Sequence, residues 1–402
     1  ILIGLVGSEM CIRDRYRHKE RKKKVKTGIQ YVEGLSVKGA VESGFANIEL
    51  CMEDIDKLDD IKALGGRIAG ININLNSMLV SKTGDKADRE VLSEDAVEIF
   101  GKAISYAADN ICSYIVINTE GVNSKAVLEQ LVSESLGLLK ECRACKEPVS
   151  IYVENGYRCE YGRYYHNGYS DWRELMSLIN NLEALCPYIN WKICISVGHT
   201  NLLGINIRDM VRVCGKHIGL VHINDNNGLS DQHQMPYTFT TGRGVLSTDW
   251  PRFIGELHTA KFDGYIIFDN KGTFARTPQK LHKVMLELMK ACVDEWEENC
   301  FNAEEYIGQK DKKLILFGSG RMAQTYMDYW GERYTPAFVV DNNSQRWGQQ
   351  FMGVPIKSPE AILEIPAEQR NVWICNLNYD IIGNQLERMG IEYRCYRDLY
   401  FI

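Results

Sequence analysis

The 402 residues are 45% hydrophobic and 25% charged, a globular balance with no apolar run long enough to cross a membrane. A formal charge of -6 offers no general attraction for nucleic acid or an anionic membrane surface. The 13 cysteines are odd in number and scattered. Most stand in apolar runs, such as Cys112, Cys194, Cys214 and Cys375, which reads as buried thiols of a reduced, cytoplasmic protein.

At the start, "ILIGLVG" is too short for a membrane span and lacks a signal-peptide cleavage pattern. "GLVGSEMCIRDR" resembles translated sequencing-adapter read-through, so residues 1–15 are set aside, and residues 1–26 are expected to be a non-native or disordered lead-in. The basic "YRHKERKKKVK" within it reads as solvated chain, because no aromatic-basic interleaving continues beyond it. "CRAC", Cys142 to Cys145, has no second pair and reads as a helix face rather than a redox or zinc motif.

From residue 27, short β-rich runs alternate with amphipathic segments. "TGIQYV", "NIELCM", "RIAGINI", "CSYIVIN", "VSIYVEN", "WKICISV", "IGLVHIN" and "YIIFDN" are each followed by a loop and a helix-like stretch. Ser93 and Asp95 offer N-caps to one of these helices. Eight strand–helix units over residues 27–296 predict a (β/α)8 TIM barrel, α/β in class. A charged linker, residues 297–311, precedes a small Rossmann-like α/β domain over residues 312–402. There "KLILFGSGRMAQTY" reads as strand, G-x-G-x-x-A turn and helix, and "PAFVVDNN" as a second strand ending in Asp341. Gly318, Gly320 and Asp341 are therefore candidate cofactor-binding residues, with a nucleotide or sugar nucleotide as the ligand class. Docking or dimerisation is the other reading of that domain.

A buried parallel strand stays apolar to its end unless something there requires polar groups. Here the ends are polar: Glu49, Asn72 and Asn74, Asn118 and Glu120, Glu154 and Asn155, Ser196 and His199, His222 and Asn224, Asp269 and Asn270. In a TIM barrel these ends form the catalytic face. "VHINDNNGLSDQHQMP" adds Asp231 and His233, two apart and on one side of an extended segment, with Gln232 turned away. Gly228 lets that loop fold back over the barrel. Glu154, His199, His222, Asp231, His233 and Asp269 form the candidate metal set, since mixed imidazole and carboxylate donors suit Zn, Mn or Co. His217 and His258 are expected away from this rim.

"YVEN", "SVGHTNL", "VHINDNNGLSDQH" with "TGRGVLSTDW", and "IIFDN" resemble motifs of the xylose isomerase-like barrel superfamily. That group holds sugar phosphate isomerases and epimerases and endonuclease IV-type phosphodiesterases. The resemblance implies a divalent metal (Mn, Co, Zn or Mg) held at the positions of Glu154, Ser196, His222 and Asp269. It places His199 against substrate or metal, and gives Asp231 and His233 to a further metal site of the nuclease group. Catalysis then falls to Glu154, Asp269 and His199, with the two carboxylates moving a proton beside a metal-polarised carbonyl. Two positions depart from the pattern: Ser196 stands in place of aspartate, and Asp269 in place of glutamate, shorter by one methylene.

Asn74 and Asn118 stand near the nuclease group's remaining histidines, so a trinuclear cluster is not expected and nucleic acid is not the partner. The expected function is a metal-dependent isomerase or epimerase of a small sugar, sugar phosphate or polyol. A non-catalytic sugar-binding barrel and a metal-dependent hydrolase or dehydratase are the alternatives. The partner is a small carbohydrate, with homo-oligomerisation open.

Overall fold

The computed structural model describes residues 25–82, 89–142, 150–239, 248–297 and 306–396. Most of the lead-in, the centre of the Cys142–Cys145 motif and the "TGRGV" segment lie outside the described residues. Eight parallel strands close into a barrel. They are β1 (Lys26–Gln30), β2 (Asn47–Cys51), β3 (Arg67–Asn74), β4 (Tyr114–Asn118), β5 (Ser150–Glu154), β6 (Asn190–Ser196), β7 (Ile218–Ile223) and β8 (Tyr265–Phe268). Each pairs with its neighbours in sequence, and β8 closes on β1 from Lys26 opposite Tyr265 to Ile29 opposite Phe268.

Strand alternation sorts the side chains into two cores. Ile48, Ile71, Ile115, Val153, Ile195, Val221 and Phe268 face outward and pack with helical residues such as Phe100, Leu128, Leu178, Phe253 and Leu286. Inside, Ala69, Tyr114, Val116, Tyr152, Cys194, Leu220, Tyr265 and Ile267 fill the barrel. Tyr114 stacks on Tyr152 with ring centroids 5.3 Å apart and leans on Tyr265 at 5.2 Å. A Cβ at Gly70 would lie 2.0 Å from the Tyr114 ring, so only glycine lets that ring occupy the axis.

The outer helices are amphipathic, as their sequence spacing predicts. Asp95 stands at the N-cap of helix Ala96–Asp109 but makes no side-chain capping bond, and the Ser93 hydroxyl is also unpartnered. The reason is local: Asp95 has φ -95° and ψ 0°, whereas a capping residue needs the β-region to aim its side chain back at the first turn. Glu256 on helix Trp250–Thr259 accepts hydrogen bonds from Arg208 and Arg212 of helix Ile207–Cys214 and bolts the two helices together. Among the described residues, no helix is long and apolar enough to cross a membrane.

The C-terminal part is an open six-stranded sheet of β9 (Lys313–Phe317), β10 (Phe338–Val340), β11 (Gln350–Phe351), β12 (Val354–Lys357), β13 (Arg370–Ile374) and β14 (Tyr393–Cys395). Its order is β11-β12-β10-β9-β13-β14, with every pairing parallel except β11 with β12. Order reverses between β9 and β13, as in doubly wound nucleotide-binding sheets. Apolar residues cover both faces, Ile315, Phe317 and Val340 on one and Leu314, Leu316 and Trp373 on the other. The β11–β12 hairpin is invisible in the residue pattern, because its strands are short and Pro355 interrupts the second.

Candidate functional site

Above the tyrosine layer the barrel turns polar. Glu49 of β2 is fully buried, and it accepts hydrogen bonds from Gln30 Nε2 (2.9 Å), Asn72 Nδ2 (3.0 Å) and Tyr114 OH (3.1 Å). His222 of β7 sits above it, with Nε2 3.0 and 3.1 Å from the two Glu49 oxygens. Its Nδ1 is 2.9 Å from Oε1 of Glu154, at the end of β5. Burial opposes a charged His222, but the Glu49 and Glu154 carboxylates outweigh it and hold the imidazolium well above its ordinary range. Burial likewise opposes the Glu49 carboxylate, yet His222 holds it below the usual range.

Nearer the mouth a second cluster gathers. Helix Val197–Leu202, which opens directly after β6, carries His199 in its first turn. The ends of β5 and β6 are pinned to each other because Ser196 N donates to Asn155 Oδ1 at 2.6 Å. The Asn155 carbonyl accepts from His199 Nδ1 at 2.7 Å. A carbonyl cannot donate, so Nδ1 carries the hydrogen and Nε2 faces inward, 3.2 Å from Glu120 and 3.9 Å from Asp231. Glu154 Oε1 is 4.0 Å from His199 Nδ1, which joins the two layers.

The loop after β7 supplies the rest. Asp225 and Gln234 exchange backbone hydrogen bonds of 2.8 and 2.9 Å, closing residues 226–233 into a lobe over the barrel. Gly228 turns at φ +72°, and Gln232 accepts from Asn227 N within the lobe, away from the site. His233, held at φ +46°, stands between Asp231 (Nε2 to Oδ2, 2.9 Å) and Asp269 (Nδ1 to Oδ2, 2.9 Å). Asp231 Oδ2 also accepts from Tyr157 OH at 3.0 Å. Burial works against charge throughout, yet Glu120 holds His199 up at about 9 and Asp269 and Asp231 hold His233 up at about 10. Desolvation is outweighed for the acids too: His199 holds Glu120 low, while His233 does the same for Asp231 and Asp269. Lys271, beyond Asp269, adds positive charge facing Asp269, Glu120 and Asp231.

All six residues singled out from the sequence thus belong to one linked network. Donor atoms of Glu120, His199, Asp231 and His233 lie within 4.8 Å of one another, as do those of Glu154, Cys194 and His222. Ser196 Oγ takes part in neither group and accepts from Asn224 Nδ2 at 3.4 Å. Asn74 caps its own turn through Asn76 N, and Asn118 bonds Glu120. His217 lies at the opposite end of β7 from His222, and His258 on the helix before β8.

Glu49 and Glu120 are the functional neighbours that sequence reasoning leaves out. Their signal was present, since both are carboxylates at polar strand ends. Neither belongs to the histidine-bearing motifs that drew attention.

The donor chemistry fits a divalent cation in the mouth. Buried Glu154 Oε2, Asp231 Oδ1 and Asp269 Oδ1 make no hydrogen bond with the described residues, and His199 Nε2 meets Glu120 as an ion-pair contact at 3.2 Å. Buried polar atoms are ordinarily paired, so the three carboxylate oxygens mark a place built for something else. His199 also shows the arrangement common in metal-ligating histidines, one ring nitrogen given to a carbonyl and the other left to the ion.

Residues 37–292 match the xylose isomerase-like TIM barrel family. The chain belongs to it. Solved structures of similar fold include an L-ribulose 3-epimerase, 15% identical over 72% of this chain and 99% of that one, with a TM-score of 0.52. A 3-keto-D-glucoside 4-epimerase from E. coli is 16% identical over 67% and 100% of the two chains, TM-score 0.48. A sugar phosphate isomerase/epimerase from Parabacteroides distasonis is 12% identical over 70% and 98%, TM-score 0.44. At such identities the likeness is one of fold. No curated protein sequence matches this family member significantly.

In the C-terminal sheet, Gly318 follows β9 at φ +105°, where a Cβ would meet the Cys375 carbonyl at 2.8 Å. Gly320 precedes helix Arg321–Trp330, with nothing within 4 Å of a Cβ. Asp341 is committed to the turn itself: Oδ2 accepts from Ser319 N (3.0 Å) and the Ser319 hydroxyl, and Oδ1 from Asn343 N (2.8 Å).

Proposed function

We propose that this protein is a metal-dependent isomerase or epimerase of a small sugar, sugar phosphate or polyol. The observation that carries the reading is the set of unpaired, buried carboxylate oxygens on Glu154, Asp231 and Asp269, gathered around His199 at the mouth of a xylose isomerase-like barrel. Glu120, His199, Asp231 and His233 would hold the cation, their donors needing only a short inward movement to reach ligand distances of about 2.0–2.2 Å. A divalent cation bound there supplies Lewis-acid polarisation of a substrate carbonyl.

The chain's own groups do the proton work. Glu154 has one oxygen fixed by His222 and the other unpaired, the disposition of a general base aimed at a C–H beside a carbonyl. Asp269, from the far side of the β7–β8 boundary, likewise keeps Oδ1 unpaired while His233 fixes Oδ2. Proton removal by one carboxylate and return by the other inverts a centre or moves a carbonyl. Lys271 brings positive charge to the same space, suited to substrate oxygens. The deciding experiment is solvent deuterium incorporation into a ketose and ketose-phosphate panel with Mn²⁺ or Co²⁺, before and after chelation. Exchange lost on chelation supports the reading, and tight binding of a sugar without exchange replaces it with the non-catalytic one.

For the C-terminal sheet, the accompanying proposal is nucleotide or sugar nucleotide binding at Gly318 and Gly320, beside the point where strand order reverses. Asp341 then serves by holding the Ser319 turn. A melting shift with such a ligand, removed by Gly320→Val, supports it. No shift with any nucleotide leaves docking or dimerisation as the module's role.

A further inference from the structure

The loop after β5 rises from the barrel mouth as a hairpin, Arg158–Glu160 paired with Arg163–Tyr165. Its root belongs to the site: Tyr157 OH donates to Asp231 Oδ2 at 3.0 Å, and Tyr164 OH accepts from Asp231 N at 3.1 Å. Its crest does not pack on the fold. Tyr161 stands there fully exposed, and Leu229 on the neighbouring lobe is exposed as well. We infer that this crest is a saccharide platform, which binds the distal, uronate-bearing part of a glycan or glycoside whose reacting ring lies in the mouth. The inference rests on the mouth being a sugar site, and it narrows the substrate class to an extended acidic saccharide.

The crest is held at a backbone cost. Glu160 faces Arg163 across the hairpin, so Tyr161 and Gly162 alone make the turn, with φ of +52° and +72°. A two-residue turn with both φ positive prefers Asn-Gly or Asp-Gly, and a bulky ring at its first position is strained. Packing could offset that strain, but the Tyr161 ring is in water. A tyrosine on a tight turn presents a flat apolar face with little rotamer freedom to lose. The C–H face of a pyranose can lie on such a ring while its hydroxyls stay hydrated.

Charge points the same way. Arg158, Glu160, Arg163 and Tyr165 share the outer face, because Cys159 and Tyr164 alternate to the inner one. Glu160 is taken by Arg158 at 2.8 Å, and Arg158 also lies over the Tyr165 ring at 5.1 Å. Arg163 is exposed and has no ion-pair partner among the described residues. On a chain of net charge -6, two guanidinium groups against one carboxylate make this face locally positive. A guanidinium fork pairs two-to-two with a planar carboxylate, which favours a uronate. Tyr161 lies three residues beyond Tyr164, about 10 Å along an extended strand, within reach of a short oligosaccharide leaving the mouth.

The test is calorimetry on the full chain with Mn²⁺ present. The ligands are methyl glycosides of galacturonic acid and its dimer and trimer, with the methyl glycosides of glucose, cellobiose and cellotriose as neutral controls. Methyl glycosides do not open to a carbonyl, so affinity is read without turnover. The acidic trimer should bind about 10-fold tighter than the monomer, the scale of one aromatic stack, and about 5-fold tighter than the neutral trimer. Tyr161→Asn gives the turn a residue it prefers, so it should hold or raise the melting temperature while erasing the gain from chain length. Arg163→Gln should erase the preference for the acidic trimer. A trimer no tighter than the monomer, equal affinity for acidic and neutral trimers, or trimer affinity unmoved by Tyr161→Asn overturns the inference. So does a parent dimer in sedimentation that Tyr161→Asn turns into monomer, which puts a second copy of this chain on the crest. Should Tyr161→Asn lower the melting temperature, the length dependence of the parent and Arg163→Gln decide. Length-dependent binding without deuterium exchange on any sugar keeps the platform and sinks the isomerase reading. Exchange of free ketoses with no gain from chain length does the reverse.

Discussion

Glu154→Gln is the sharpest change a single residue can offer here. It retains shape and the contact to His222 but removes the basic oxygen, so exchange should fall by roughly 10²–10⁴-fold with Mn²⁺ still bound. Parallel exchange and metal assays check this. pH adds a second handle. His199 and His233, raised to about 9 and about 10 in the ion-free protein, stabilise the fold fully below the unfolded histidine value of about 6.5. That stability should drain away as pH rises through about 9 to 10. Glu120, Asp231 and Asp269 are depressed, so their share is present above about 4 and lost as pH falls through their folded values. Thermal melts of chelated protein should therefore be highest between about pH 4.5 and 6.5 and decline on both sides. The six motif residues were legible because histidines and carboxylates at strand ends break an apolar rule. Glu49 breaks the same rule, but its partners were not legible, because Gln30, Asn72 and Tyr114 come from three strands that only barrel closure brings together.

At the level of elements, the alternation of β-rich runs and amphipathic segments was enough to read all eight barrel strands. Periodicity reports which face of an element meets a core, and in a barrel every strand repeats the same message. It is silent on the hairpin of β11 and β12, and on the way helices fasten to one another. The Glu256 bolt is such a fastening: its carboxylate is buried, and Arg208 and Arg212 reach it from the adjacent helix. Glu256→Ala should cost about 2 kcal/mol, the scale of hydrogen bonds to a charged group. Urea unfolding of the variant checks this, with Mn²⁺ binding unchanged because neither helix contributes a donor to the mouth.

For the whole molecule, the two parts have separate cores. Among the described residues, Trp296 is the last buried one of the barrel core, stacked on Phe268 and Trp250, and Ile307 is the first of the C-terminal one. We propose that the boundary falls between them. A chain ending at residue 300 should then unfold cooperatively and keep its Mn²⁺ site, and residues 306–402 should fold alone. Non-cooperative melts in either piece refute that division.

His199 is gripped from two sides, its Nδ1 hydrogen by the Asn155 carbonyl and its Nε2 edge by Glu120. In the ion-free protein at neutral pH the ring is charged, so a cation can enter only as a proton leaves. Loading is therefore an exchange of one positive charge carrier for another. Apparent affinity should climb about tenfold per pH unit, for each proton released, between about pH 7 and 9. The measured heat of Mn²⁺ binding should scale with the ionisation heat of the buffer, with a slope that counts those protons. Acidification should therefore release an ion from the mouth as the ring regains its proton.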